Sequence, residues 1–132
     1  MTHSFPLRVY YEDTDLAGIV YYANYLKFIE RARTEFVRSL GIDQAQLRAD
    51  EGIVFAVRRV EADYLAPAVF DDELKVLTTL KSSTGARIVL FQDVVRGEQT
   101  LFSSVVTLVA LRADGRAARL PAPIRRALDV AE

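Results

Sequence analysis

The sequence lacks cysteine and tryptophan, and among its 132 residues it has a single histidine, His3. Without cysteine there is no disulfide, no thiolate nucleophile and no cysteine-ligated zinc or iron–sulfur cluster. One imidazole excludes a multi-histidine metal site, and a Ser-His-Asp triad would have to recruit a residue from the N-terminal segment. We expect His3 to lie on a mobile terminus instead, because chain ends are commonly disordered. Chemistry in this protein must therefore rely mainly on carboxylates, hydroxyls and backbone dipoles.

The sequence also lacks an excess of charge and any long apolar run. Lys plus Arg number 17 and Asp plus Glu 18, so the net charge of -1 predicts no nucleic-acid partner. The longest stretches without a charged residue, 16–26 and 99–111, are shorter than the roughly 18–20 residues that cross a bilayer. Residues 1–8 do not have the basic and then apolar pattern of a secretory signal. These absences predict a cytoplasmic protein without a membrane span.

The apolar pattern predicts an α+β protein in one domain, residues 1–132, because cores usually divide only beyond roughly 250–300 residues. Apolar residues recur at three or four positions over residues 22–40, which predicts an amphipathic helix, and Gly41 is a typical helix stop. The remaining predicted elements are strands over 7–11, 54–64, 74–81, 87–95 and 100–112, and a short helix over 124–130. One strand, one long helix and four successive strands favour an antiparallel sheet.

The later strands are apolar on both faces. In the strand over 87–95, Val89 and Phe91 point one way while Ile88 and Leu90 point the other, because side chains alternate along a strand. One helix of about 28 Å, at roughly 1.5 Å per residue, covers only one face of a sheet. The other face needs a partner, and the simplest partner is another copy of the chain. The sequence therefore predicts a homo-oligomer.

Chemistry is concentrated where a carboxylate loop leads into the long helix. Glu12, Asp13 and Asp15 precede Gly18 in this loop, and a glycine lets a substrate approach the backbone closely. Unpaired N–H groups at the helix start could polarise a carbonyl, on which a loop carboxylate then acts as nucleophile or as base for water. The alternative is an Asp-rich turn before an ordinary helix, because carboxylates near a helix start also complement its dipole.

Two motifs carry a resemblance to a known family. The first is Tyr-x-Asp-Thr-Asp-x-x-Gly-x-Val-Tyr-x-x-x-Tyr over residues 11–25, continuing into Glu-Arg-Ala-Arg-Thr-Glu over 30–35; the second is Asp-Tyr-Leu-Ala-Pro-Ala-x-x-Asp-Asp-x-Leu over 63–74. The sequence resembles the hotdog-fold acyl-CoA thioesterases of the 4-hydroxybenzoyl-CoA thioesterase type, and most of all the Tol-Pal-associated acyl-CoA thioesterase branch. The resemblance implies a five-stranded antiparallel sheet wrapped around one long central helix, and hydrolysis of acyl-CoA thioesters.

The resemblance also implies roles for individual residues. Asp15 matches the catalytic carboxylate, and the backbone N–H of Tyr22 matches the group that polarises the thioester carbonyl. Asp13 would be structural and bond loop amides, with a share in the catalytic work as the alternative. At Tyr22 the sequence departs from the Tol-Pal branch, which often has His there, although the hydroxybenzoyl branch has Tyr. The backbone role survives this change, whereas a side-chain acid or base role does not transfer.

The substrate-binding residues implied by the resemblance are Gly18, Val20, Tyr21, Lys81 and Arg87. Lys81 and Arg87 flank a predicted turn over 82–85 and are candidates for contact with the CoA phosphates. No metal or cofactor is implied, since CoA is part of the substrate. The implied partners are acyl-CoA, further copies of the chain in a homodimer or homotetramer with the acyl group between subunits, and an acyl carrier protein as a candidate.

Several assignments have competing interpretations. Tyr21, Tyr22, Tyr25 and Phe55 could line an aromatic acyl pocket, although aromatics at such spacings are more often plain core. The charged residues over 30–35 are expected to form solvated pairs, Glu30 with Arg33 and Arg31 with Glu35, rather than to contact substrate.

Two rival functions are weighed against hydrolysis. A hydratase or dehydratase of the same fold relies on a His, which the helix-start region lacks. A non-catalytic module that binds acyl-CoA or acyl carrier protein is favoured slightly by the change at Tyr22, whereas the intact Asp15 argues against it.

The two-faced strands yield a first prediction about assembly. Because one sheet face stays apolar and uncovered in a single chain, the purified protein should be a dimer or tetramer at micromolar concentration. Multi-angle light scattering measures this directly, and a monomeric mass at that concentration would contradict it.

Overall fold

A five-stranded antiparallel sheet with a helix packed on one face organises the chain in the computed structural model, which describes residues 1–131. The strands are β1 (Thr2–Arg8), β2 (Ile53–Tyr64), β3 (Glu73–Ser83), β4 (Arg87–Arg96) and β5 (Gln99–Arg112). The helices are α1 (Asn24–Ser39), α2 (Gln44–Glu51) and α3 (Ala122–Ala131). The order across the sheet is β1-β3-β4-β5-β2, so β1 and β2 are its edges. The last residue of the predicted domain, Glu132, lies outside the described residues.

Helix α1 forms because its apolar residues share one face. Tyr25, Phe28, Ile29, Ala32 and Phe36 are all buried, at the three- and four-residue spacing of an α-helix. The helix is shorter than the predicted span of 22–40 because residues 21–23 form a turn instead. The chain leaves the helix through Gly41, whose φ of 81° is the left-handed conformation expected after a helix.

Side chains alternate between a buried and a half-exposed face along the central strands. On β4, Ile88, Leu90 and Val94 are buried beneath the helix side of the sheet. The opposite face of the same strand carries Phe91, which is 41% exposed. Nothing in residues 1–131 covers this outer face, so it is the surface that the predicted homo-oligomer would bury. The five-stranded antiparallel sheet of the sequence prediction is confirmed.

Two predicted elements and the placement of His3 need correction. The first strand is Thr2–Arg8 rather than 7–11, because the whole of this segment pairs with Glu73–Thr79 of β3. His3 is therefore not on a mobile terminus: it pairs opposite Thr78, and its ring lies 6.1 Å from the ring of Phe36. The tail helix is also longer than the predicted 124–130 at both ends.

Helix α2 has no counterpart in the sequence prediction, although its local signals are present. Asp43 caps it by accepting a hydrogen bond from the Gln46 N–H, and Gly52 ends it with a left-handed conformation. Leu47 is its single buried residue, so the helix lacks the long apolar stripe on which the sequence prediction relied.

A polar network inside the core ties α1 to the sheet. The guanidinium of Arg33 donates to Gln92 Oε1 at 3.0 Å and to Glu30 Oε2 at 3.2 Å. Gln92 Nε2 in turn donates to the Ile29 carbonyl at 2.9 Å and to Thr78 Oγ1 at 3.0 Å. Burial lowers the pKa of Arg33, against the raising effect of Glu30.

The expectation of solvated charge pairs on α1 is therefore only partly correct. Glu30 and Arg33 do pair, but Arg33 is 8% exposed and its charge lies in the core. Glu35 pairs with Arg38 and not with Arg31. Helical spacing identifies which residues of α1 are neighbours. It does not predict that Arg33 is buried by its hydrogen bond to Gln92 of β4.

Replacing Gln92 with Ala should destabilise the fold by about 2–4 kcal/mol, because it removes both amide bonds to α1 and β3 and leaves the buried Arg33 with one partner fewer. Urea unfolding followed by circular dichroism measures the change. Gln46→Ala, at an exposed position of α2, is the matched control and should stay within about 0.5 kcal/mol of wild type. Equal stability of the two variants would contradict a structural role for the network.

Candidate active site

The loop between β1 and α1 is pinned against the segment that precedes β3. Val9 N–H donates to the Asp72 carbonyl and Asp71 N–H donates to the Val9 carbonyl, both at 2.9 Å. Further along, Ile19 pairs with Val69, and Val20 N–H donates to the Ala68 carbonyl at 2.9 Å. The loop is therefore held at one end of the sheet, beside the N-terminus of α1.

The segment 67–72 that receives the loop is itself held by charged groups. Arg96 of β4 donates to Asp72 Oδ2 at 2.7 Å and to the Pro67 carbonyl at 3.3 Å. Arg8 at the end of β1 donates to Asp71 Oδ1 at 3.0 Å and to Glu73 Oε1 at 2.6 Å. The hydrogen bond and charge of Asp71 raise the pKa of the Arg8 guanidinium. These contacts join three strands at the end of the sheet where the loop lies.

Asp13 organises the loop from its centre. Its carboxylate accepts the Tyr10 N–H at 2.8 Å, which is the contact with a loop amide that the sequence predicts for it. Its carbonyl accepts the Tyr21 N–H and the Asn24 side-chain amide, both at 2.9 Å. Asp13 thus connects the start of the loop to the start of α1.

Asp15 lies at the exposed tip of the same loop. Its Oδ1 accepts the Ala17 N–H at 2.9 Å, and its carbonyl accepts the Gly18 N–H at 2.9 Å. The turn closes through Gly18, whose φ of 81° is unfavourable for a residue with a side chain. Oδ2 of Asp15 accepts no hydrogen bond from residues 1–131 and is free to act on a bound molecule.

The helix start carries unpaired donors. The backbone N–H groups of Tyr22 and Ala23 have no acceptor within residues 1–131, and no side chain caps the helix at Ala23. Such groups, together with the positive end of the helix dipole, favour an oxygen that carries negative charge. The Tyr22 carbonyl, by contrast, is occupied, because it accepts the hydroxyl of Tyr64 at 3.0 Å.

An apolar cavity of about 320 Å³ opens beside this helix start. Its lining consists of Ile19, Val20, Tyr22, Tyr25, Tyr64, Leu65, Ala66 and Pro67. The ring of Tyr25 is buried, which raises the pKa of its hydroxyl. Larger clefts, of about 450 and 420 Å³, lie beside Gly41 and Gly97 and contain none of the loop or helix-start residues. The cavity thus combines an apolar wall with one residue, Tyr22, whose backbone N–H is unpaired within residues 1–131.

The structure brings most of the predicted site residues to this end of the sheet. Val20 and Tyr22 line the cavity, while Asp15 and Gly18 lie on the loop that contributes its Ile19 wall. The ring of Tyr21 lies 5.0 Å from the ring of Tyr22, outside the lining.

Lys81 and Arg87 are not part of this group. Lys81 lies about 26 Å along β3 from its first residue, Glu73, at roughly 3.3 Å per residue, and Arg87 begins the neighbouring strand. The Lys81 ammonium lies 5.4 Å from the centre of the Phe91 ring, on the outer side of the sheet. Within one chain these two residues and Asp15 are at opposite ends of the sheet.

Of the predicted aromatic pocket residues, Tyr22 and Tyr25 line the cavity, whereas Phe55 lies in a separate cleft with Arg33. Sequence reasoning assigned no role to Tyr64 or Leu65, although both belong to the second quoted motif. Their distance from the loop in sequence gave no sign that they share a cavity with it. Pairing between β2 and β5 is what delivers them there.

Residues 1–131 contain neither a metal-binding cluster nor a membrane-spanning helix. No cluster of three or more His, Asp or Glu side chains has the arrangement needed to hold a metal ion. No helix in this part of the chain has the length and apolar character of a membrane span.

The chain is similar in sequence and in fold to known thioesterases. Residues 9–128 match the family model described as the thioesterase-like superfamily. The acyl-CoA thioester hydrolase YbgC of Escherichia coli is 45% identical over 104 residues, which cover 79% of this chain and 77% of that protein. The acyl-CoA thioesterase YbgC of Haemophilus influenzae is 42% identical over 108 residues, covering 82% and 79%. The crystal structure of a probable thioesterase from Bartonella henselae has a TM-score of 0.88 and 37% identity, covering 92% of this chain and all of that one.

Gly18 provides a test of the loop geometry. Replacing it with Val should destabilise the protein by about 1–2 kcal/mol, because a β-branched residue strains at a φ of 81°. Gly18→Asn is the matched control and should lose less, since Asn tolerates the left-handed conformation. Thermal unfolding of both variants measures the difference, and a Val variant as stable as the Asn variant would show that the loop does not hold this turn.

Proposed function

Because the chain belongs to the thioesterase-like superfamily, we propose that it hydrolyses acyl-CoA thioesters to a free acid and CoA, with Asp15 as the catalytic carboxylate. The family resemblance of the sequence is confirmed, and the YbgC relatives confirm its Tol-Pal-associated branch. One observation carries the chemical part of the proposal: Tyr22, whose backbone N–H is unpaired within residues 1–131, lines an apolar cavity beside the loop that presents Asp15.

In the proposed reaction, the start of α1 supplies the hydrogen-bond donor that polarises the thioester carbonyl. The thioester carbonyl oxygen lies against the Tyr22 N–H, which stabilises the negative charge that develops as the carbonyl carbon is attacked. Backbone donors suit this role because they are already oriented and need no rearrangement during the reaction. The carbon–sulfur bond then breaks, and the thiol of CoA leaves with a proton.

Asp15 supports either of two routes. Its free Oδ2 can take a proton from water that attacks the carbonyl, or it can attack the carbonyl itself and form an anhydride that water then hydrolyses. Both routes consume one water and release one acid and one thiol, so neither needs a cofactor. Because Asp15 is exposed and accepts a bond from Ala17 at one oxygen only, the other oxygen is available in both routes.

The Tyr22 side chain has no acid or base role in the proposed reaction. Its ring contacts those of Tyr21 and Tyr64, and its phenol makes no hydrogen bond within residues 1–131. A neutral phenol can donate a hydrogen bond, but it lacks the basic ring nitrogen of a neutral imidazole. The backbone N–H therefore carries the proposed role of this position.

We propose that the acyl group occupies the apolar cavity. Val20 forms part of its wall, Gly18 leaves room for the thioester to approach the loop backbone, and the ring of Tyr21 packs against that of Tyr22 in the lining. A lining of aromatic and aliphatic side chains suits an acyl chain better than a polar group, since burial of apolar surface is the main source of affinity there.

We further propose that Lys81 and Arg87 bind the phosphates of a CoA held by another subunit. Their separation from Asp15 within one chain supports this arrangement, because it leaves them at the far end of the sheet from their own cavity. The uncovered apolar outer face around Phe91 supports assembly into a homodimer or homotetramer. An acyl carrier protein is the second candidate carrier of the acyl group.

A non-catalytic module that binds acyl-CoA or acyl carrier protein is the alternative function. The observation that favours it is Tyr22, whose phenol makes no hydrogen bond within residues 1–131 and stands where the related branch often has a histidine. Such a module would bind acyl-CoA and release no thiol.

Asp15→Asn should lower the rate of thiol release by about 10²–10⁴-fold, because the amide can neither take a proton nor act as a nucleophile. The measurement is release of free thiol from a panel of acyl-CoAs of different chain length and aromaticity. Asp114→Asn, in the exposed β5–α3 connection, is the matched control and should keep full activity.

The outcomes separate the two functions. Thiol release by the wild type and none by a folded Asp15→Asn variant supports hydrolysis. Normal turnover by that variant would overturn the role of Asp15. Binding of acyl-CoA in calorimetry, with no thiol released by the wild type from any member of the panel, would establish the binding module instead.

A further inference from the structure

Tyr64 makes a long-range contact with the start of α1. It is the last residue of the edge strand β2, and its hydroxyl donates to the Tyr22 carbonyl at 3.0 Å. The carbonyl belongs to the turn that leads into the helix, immediately before the residue at which the helix is capped. One side chain thereby connects an edge of the sheet to the backbone of the proposed catalytic donor.

Aromatic packing fixes the ring of Tyr64 independently of its hydroxyl. The rings of Tyr25 and Phe102 stack at 5.1 Å with an interplanar angle of 6°, and both are buried. Tyr64 sets its ring edge to face against this pair, 5.6 Å from Tyr25 and 5.1 Å from Phe102. The ring has contacts on α1 and on β5, so loss of the hydroxyl alone should leave it in place.

The contact acts on a particular peptide unit. A peptide is planar and trans, so its C=O and N–H groups point in opposite directions and rotate together. The carbonyl of Tyr22 shares its peptide with the N–H of Ala23, which has no acceptor within residues 1–131. A hydrogen bond that holds the carbonyl therefore also holds this N–H. It strengthens the N–H as a donor as well, because hydrogen bonds in series polarise one another.

We propose that Tyr64 is a positioning residue for thioester hydrolysis, whose hydroxyl fixes and polarises the Tyr22–Ala23 peptide so that the Ala23 N–H serves as a second donor to the thioester oxygen. This inference rests on the proposed function and deepens it. It makes the oxyanion site a pair of consecutive amides at the helix start, one of which depends on a side chain of β2.

The decisive variant is Tyr64→Phe, which keeps the ring and removes the hydroxyl. Losing one hydrogen bond that acts on a donor should lower kcat by about three- to tenfold, with KM nearly unchanged, because the interaction matters most when charge develops on the oxygen. The thermal midpoint and the oligomeric mass should match wild type. Tyr11→Phe is the matched control, since Tyr11 is 82% exposed, lies on the same loop and has no hydroxyl contact within residues 1–131.

A spectroscopic readout separates positioning from a merely structural role. The probe is a ketone analogue of the best substrate in the panel, with CH₂ in place of sulfur and a ¹³C-labelled carbonyl, which the enzyme cannot hydrolyse. Two amide donors lower the infrared stretching frequency of the bound carbonyl relative to water. In Tyr64→Phe this lowering should be partly lost, whereas Tyr11→Phe should leave it as in wild type.

The results distinguish failure of the positioning role of Tyr64 from failure of the proposed hydrolysis. A reduced kcat together with a smaller carbonyl shift supports the positioning role. If the wild type releases thiol and the kcat of Tyr64→Phe is within twofold of the wild-type value, the inference alone is overturned. The same holds if the carbonyl shift of Tyr64→Phe equals that of the wild type. Absence of thiol release by the wild type would overturn the proposed function and this inference with it.

Discussion

The burial of one face of α1 against the inner face of the sheet is the interaction on which the rest depends. Phe28, Ile29 and Phe36 are each 1% exposed, and burying a side chain of this size contributes about 1.5–3 kcal/mol. Hydrophobic burial has little directional preference, so by itself it would let the helix slide or rotate. The Arg33–Gln92 network adds the direction, because its hydrogen bonds are satisfied in one orientation of the helix only.

The candidate site follows from where this packing leaves the helix start. Because the helix is anchored along its length, its first N–H groups can stay unpaired at the sheet end without destabilising the fold. The loop that carries Asp15 leads into this helix start, and its two ends are bonded to segment 67–72 through Val9 and through Ile19 and Val20. Tyr22 and Asp15 are exposed, so water can satisfy the unpaired N–H of the one and the free carboxylate oxygen of the other, and neither need be paired within the fold.

Local periodicity explains how much of the fold could be predicted. The apolar spacing of α1 repeats over many residues, and so does the alternation of β3, β4 and β5. The sequence therefore predicts that these four elements exist and whether each is a helix or a strand, with ends only a few residues from those observed. His3 and β1 were misjudged because a strand at a chain end is held by its partner β3, and its own pattern is short. The sequence does not predict helix α2, because the helix buries only Leu47. Its two capping residues, Asp43 and Gly52, are the remaining local signals, and they do not suffice without an apolar stripe. The loop motif was found because its carboxylates, glycine and tyrosines are contiguous.

The sequence by itself determined the antiparallel α+β class, the thioesterase-like family and the loop that presents Asp15, since each of these is encoded in neighbouring residues. The tertiary structure alone decided that Tyr64 bonds the Tyr22 carbonyl, that Arg33 is buried, and that Lys81 lies at the far end of the sheet from the cavity. These contacts depend on strand order and register across tens of residues. No periodicity within a helix or a strand carries that information, because the pairing of β2 with β5 is settled only when the whole sheet forms.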